Sequence, residues 1–170
     1  MSDEARLLAE IHAARGLLRA PAPAPRIGHA ALWAHAARAP GAPVDLAVMR
    51  ALRDDSDAAR RYRAMLAARA LAHAPLAAAA SDGAVARRRV GAFDLEILPA
   101  DSDAPPLLIV RGPDGPWPRA IEAWRGDEAV RLDLGEPVAG AALLALDPAV
   151  PEAALLGRLL ADPACAVFLL

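Results

Sequence analysis

Residues 92–98 read AFDLEIL, and their period decides the fold. Phe93, Leu95 and Ile97 alternate with Asp94 and Glu96, the two-residue repeat of a strand with one face buried. Downstream, PPLLIV (105–110) supplies a continuous apolar run from Leu107 to Val110, which fits a more central strand. AIEAWRGDEAVRLDL (120–134) reads as a hairpin. Gly126-Asp127 sits at its turn, and Val130, Leu132 and Leu134 alternate against Arg131 and Asp133. ALLAL (142–146) is a further candidate strand. A short helix is expected from Pro151, a good first-turn residue, with Leu155, Leu156, Leu159 and Leu160 on its apolar side. The chain then closes on CAVFLL (165–170).

Upstream of residue 83 the period is helical. Ser2 is placed to cap a first helix, with Asp3 and Glu4 in its first turn and Leu7, Leu8, Ile11, Leu17 and Leu18 as its stripe. PAPAPR (21–26) breaks it, because alternating prolines run extended. IGHAALWAHAAR (27–38) is a second helix and VDLAVMRALRDD (44–55) opens a third, with Leu46, Met49 and Leu52 three apart. Asp54-Asp55-Ser56 marks a corner. Ser56 or Asp55 then caps a fourth helix through about Ala74, limited by Pro75. Helices followed by strands predict an α+β protein, not a doubly wound sheet. A helical protein-binding unit is expected over 1–80 and a β-rich unit over 84–170, joined by AAAASDGAVA (77–86).

Composition narrows the function classes. The 170 residues are 56% hydrophobic but only 4% aromatic, so packing rests on Leu, Val, Ile and Ala. Lysine, asparagine, glutamine and threonine are absent, the codon bias of a GC-rich bacterial genome, which also accounts for the arginines. Net charge is −2, which disfavours a globally basic nucleic-acid binder. The charge is split: residues 1–80 hold 11 arginines against 7 acids, and the remainder holds 8 against 14. The arginines are therefore expected to pair with the acidic half. No apolar run approaches the ~18 residues of a membrane span. Cys165 is the single cysteine, so no internal disulfide forms. A cytoplasmic protein is expected.

Chemistry is sparse. His12, His29, His35 and His73 all lie in the helical half. Histidines six residues apart, as at 29 and 35, face about 240° apart on a helix, and thiolate partners are missing, so neither metal nor cofactor is expected. The four serines sit beside acids or glycine, with no nucleophile elbow. Cys165 among apolar neighbours reads as an inert thiol. No catalytic residue is assigned.

The stretch VDLAVMRALRDDSDAARRYRAMLAARAL (44–71), following a helix and a small turn, resembles the N-terminal helical segment of bacterial anti-sigma factors, over roughly residues 27–74. In that family two short helices lead into a longer one, and together they clasp a sigma factor. The resemblance puts Leu46, Met49 and Leu52 on the apolar side of the penultimate helix and Asp54 and Asp55 at the corner. Tyr62, Met65 and Leu66 fall along the last helix. The family's His-x3-Cys-x2-Cys zinc motif is missing, so metal dependence does not carry over. No transmembrane helix follows.

The expectation is a non-enzymatic, cytoplasmic regulatory or adaptor protein that binds another protein, with a sigma factor as the implied partner. Leu46, Met49, Leu52, Tyr62, Met65 and Leu66 would be its apolar anchors, and Arg60 and Arg63 would stand at the rim. The alternatives are an enzyme or enzyme accessory subunit with a site between the halves, and a structural subunit that associates through a β edge.

Overall fold

The structure is a computed structural model that describes residues 5–8, 10, 11, 26–74, 86–102 and 104–170. It is α+β. Three helices come first: α1 (His29–Ala36), α2 (Leu46–Asp54) and α3 (Ser56–Arg69). The strands are β1 (Ala72–Ala74), β2 (Arg87–Val90), β3 (Phe93–Leu98), β4 (Leu107–Arg111), β5 (Ala120–Arg125), β6 (Glu128–Asp133), β7 (Ala141–Ala145) and β8 (Ala166–Leu169). Helix α4 (Pro151–Ala161) lies between β7 and β8.

Local chemistry sets the helix ends. Asp45 caps α2 by accepting from the amides of Ala47 and Val48, and Asp55 caps α3 by accepting from Asp57 and Ala58. The corner at 54–56 is therefore made by Asp55, not Ser56. Pro151 occupies the first turn of α4, where its missing N–H leaves no bond unmade. Gly126 has φ +62° at the first position of the two-residue β5–β6 loop, the place a type II′ turn reserves for glycine.

The strands form two antiparallel sheets, ordered β1-β8-β5-β6 (sheet A) and β2-β3-β4-β7 (sheet B). Their inner faces share one core. Val90, Phe93, Leu95, Leu108 and Val110 of sheet B meet Ile121, Ala123, Val130, Val167 and Leu169 of sheet A, and Leu156, Leu159 and Leu160 of α4 enter the same cluster. The alternation in residues 93–98 is as the sequence indicates: Phe93 and Leu95 point in, and Asp94 points out. In β2, Arg88 points opposite to Arg87 and Arg89; its guanidinium donates to the carbonyls of Cys165 and Asp162, tying β2 to the end of α4.

Helices α1–α3 cover the other face of sheet A. Leu32, Val48, Leu52, Tyr62, Met65 and Leu66 pack with Trp124, Ala166 and Phe168 in a second cluster that shares no buried residue with the first. The molecule is thus layered as helices, sheet A, sheet B.

Two readings from sequence need correction. The fourth helix ends at Arg69, not near Ala74: Leu71 N–H goes to Leu169 O, and Ala72–Ala74 pairs with β8 as an edge strand. Alanine's helix propensity is worth only tenths of a kcal/mol per residue, and a waiting strand edge overrides it. The arginines of α3 do not turn to the acidic half for ion pairs. Arg60 pairs with Asp57 of its own helix at 2.8 Å, and Arg63 lies over the Trp124 ring at 5.5 Å. Of the expected first helix, residues 5–8, 10 and 11 are helical, and Leu7, Leu8 and Ile11 are exposed. Ser2, Leu17, Leu18, most of PAPAPR and nearly all of the 77–86 joint lie outside the described residues.

Candidate protein-binding cleft and the buried carboxylate behind it

Strand register sets a row of side chains across the helix-facing side of sheet A. His73, Phe168, Glu122 and Arg131 stand side by side on β1, β8, β5 and β6. Putting a carboxylate there is costly unless it is paired. Glu122 is 3% exposed and has three partners. Trp124 Nε1–H donates to Oε1 at 2.9 Å, Tyr62 O–H donates to Oε2 at 3.3 Å, and the Arg131 guanidinium lies 3.8 Å away. Arg131 also donates to the carbonyls of Ala36 and Arg38. The carboxylate of β5 is thereby linked to α3 through Tyr62 and, through Arg131 of β6, to the end of α1.

His35 completes the cluster. Its ring tilts against Tyr62 at 5.6 Å, and Arg38 Nη1 lies 2.8 Å from its Nε2. A guanidinium only donates, so Nε2 accepts and the neutral ring carries its proton on Nδ1. Burial first, then the charges of Arg38 and Arg131, lower its pKa to about 4, against a small opposing effect of Asp45. Burial likewise raises Glu122, against the bonds from Trp124 and Tyr62 and the nearby arginines. Tyr62 is pushed well above its ordinary value by burial and by Glu122.

The cavity beside this cluster measures about 30 Å³. That admits water and nothing larger. A larger cleft of about 300 Å³ lies next to it, sharing Met49, Leu52, Trp124 and Ala129 as wall. Leu155 of α4 closes its far side, and Arg53, Asp127 and Glu128 stand at its rim. Leu46, one turn before Met49 on α2, is 67% exposed.

The residues expected as anchors therefore divide. Met49 and Leu52 line the cleft, and Leu46, exposed at the start of α2, is not part of its lining. Tyr62, Met65 and Leu66 are buried under α3 against sheet A, so they hold the layers together and offer no free surface. Arg60 is exposed on the outer side of α3, and Arg63 covers Trp124. Glu122, Trp124 and Arg131 were not singled out from sequence, and His35 was weighed only as a metal ligand and is buried. The one available signal was an acid inside the hydrophobic run AIEAW.

Among the described residues, no group of three or more His, Cys, Asp or Glu side chains is placed to hold a metal ion. Among the same residues, no helix is long and apolar enough to cross a membrane. No protein-family model, curated protein or solved structure matches the chain.

Proposed function

We propose that the protein is a non-enzymatic regulatory or adaptor protein that binds a segment of another protein in the cleft between α2 and α4, with a sigma factor as the candidate partner. The observation that carries the reading is the lining of that cleft. Its floor and walls are the apolar side chains of Met49, Leu52, Trp124, Ala129 and Leu155, and charges stand only at its rim. Buried apolar anchors inside a polar rim are the anatomy of a protein-binding site. The resemblance of residues 27–74 to anti-sigma segments suggests the partner class, and within that segment only α2 lines the cleft. The enzyme alternative has less support, because the buried carboxylate is fully engaged and faces a space too small for substrate. A cytoplasmic setting accompanies this reading and suits Cys165, a buried free thiol.

The test is to identify the protein retained by the tagged chain in its native host, purify it, and titrate it by calorimetry at two salt concentrations. Rim charges are screened while apolar anchors are not, so affinity should change only a few-fold between the two. An affinity that collapses with salt, with nucleic acid as the retained species, contradicts the proposal, since phosphate contacts release counterions.

A further inference from the structure

We propose that β7 is a self-association edge, pairing antiparallel with β7 of a second copy of this chain to join two B sheets into one. Sheet B ends at β7, which is paired on one side only, with β4. Gly112 N–H reaches Gly140 O and Leu146 N–H reaches Pro106 O. Backbone direction alternates along a strand, so Ala142 and Leu144 also face β4, while Ala141, Leu143 and Ala145 direct their N–H and C=O outward. Ala141 is satisfied by Val138, with which it exchanges two hydrogen bonds. Leu143 and Ala145 have no backbone partner on that side among the described residues.

Exposed strand edges are normally protected by charge, proline or a bulge. The opposite edge of the same sheet, β2, reads RRRV. At the edge of sheet A, β6 carries Glu128, Arg131 and Asp133, and the loop before α2 is tied to it by Gly41 N–H donating to Asp133. β7 reads AALLA, and only its first residue is covered, by Val138; Leu143 and Ala145 have no charge, proline or bulge beside them. Leu143 is 58% exposed at its centre, and Val138 beside the edge is 77% exposed.

A second copy fits because the strand complements itself. A two-fold axis at Leu144 sets Leu143 against Ala145 of the second copy and Ala145 against its Leu143, apolar to apolar, and leaves Ala141, whose outer side Val138 occupies, out of the pairing. Each Leu143 would exchange with the mate's Ala145 the N–H···O bonds both now lack. Ile109 lies beside Leu143 on the outer face, so the joined sheets would carry one continuous apolar strip across the axis. A five-residue edge is small against the roughly 1,200–2,000 Å² of a stable interface, so the association is weak and concentration-dependent.

Sedimentation velocity over a concentration series tests this, with the wild type, Leu143→Lys and Leu98→Lys compared and thermal unfolding of each recorded. Leu98 is exposed on the same face but on β3, two strands in from the edge. The wild type should show a reversible monomer–dimer equilibrium. Leu143→Lys should weaken it about tenfold or more, since the two added charges would stand diagonally across the pairing within each other's reach, with an unchanged melting temperature. Leu98→Lys should leave it intact. A wild type that stays monomeric at every concentration, or a dimer indifferent to Leu143→Lys, overturns the proposal. So does a dimer lost equally in Leu98→Lys, which would indicate stacking of faces and not pairing of edges.

Discussion

Trp124 donates its indole N–H to Glu122 at 2.9 Å, two residues along the same strand, so the floor of the cleft and the carboxylate behind it form one unit. Removing the carboxylate would leave Arg131, whose side chain is 8% exposed, without its counter-charge. Glu122→Ala should cost about 3 kcal/mol or more, the usual penalty for stranding half of a buried pair. Glu122→Gln keeps one oxygen to accept from Trp124 and offers an amide N–H to the Tyr62 hydroxyl oxygen, so it should cost clearly less. Urea unfolding of the two variants measures the difference; equal losses would show that the charge, which both variants remove, carries the whole effect and the hydrogen bonds none.

His35 makes stability pH-dependent. Its folded-state pKa of about 4 lies below the ordinary 6.5, so the native state binds this proton more weakly than the unfolded chain. The contribution is whole above about pH 6.5 and is lost as pH falls toward 4, at up to about 1.4 kcal/mol per pH unit. Glu122 has the opposite sign: its raised pKa makes its contribution decline as pH rises through the carboxylate range. Comparing wild type with His35→Gln at pH 7 and pH 5 isolates the histidine, because Glu122 is common to both. The wild type should lose more stability between those pH values than the variant. Equal losses would mean that the ring takes up its proton freely in the folded state.

Two glycines should respond oppositely to alanine. A Cβ on Gly157, within α4, would meet Leu146 at 3.5 Å, an ordinary contact. Gly157→Ala should stabilise by about 0.5–1 kcal/mol through helix propensity. A Cβ on Gly112 would lie 2.4 Å from the Phe93 ring, with Trp117 at 3.1 Å. Gly112→Ala should destabilise by about 1–3 kcal/mol or more through overpacking. Thermal unfolding of both variants decides each sign.

At the corner between α2 and α3, Asp55→Ala should cost about 1 kcal/mol, because its carboxylate accepts from two amides of α3. Ser56→Ala, one residue later, should be near neutral. The reverse order in chemical denaturation would reassign the cap.

Much of this was legible in the sequence, and the limits have physical causes. AFDLEIL, the Gly126-Asp127 turn and Pro151 announce their elements because each depends on local chemistry. β1 was not legible: Ala72–Ala74 lies in an alanine-rich helical context and becomes a strand only because β8, some ninety residues on, offers an edge. Helical period shows that α3 has an apolar side bearing Tyr62, Met65 and Leu66, but it is silent on what covers that side. Sheet A covers it, so Tyr62, Met65 and Leu66, like Leu52 of α2, are interior. Glu122 looks like an ordinary outward residue of a hairpin until the helical layer is placed over it.

The central claim is that α2 binds the partner while α3 holds the fold, and one measurement separates the two. Partner affinity and melting temperature should be recorded together for Met49→Glu and Leu66→Ala. Leu66 is fully buried, so its truncation should cost about 2–5 kcal/mol of stability. Variant molecules that remain folded should bind with near wild-type affinity. Met49, partly buried on the cleft wall and packed against the helix–sheet cluster, should lose less stability as glutamate than Leu66→Ala does, and lose binding by about tenfold or more, as anchor residues do. Full binding by a stable Met49→Glu protein, or binding abolished in folded Leu66→Ala, would contradict the account.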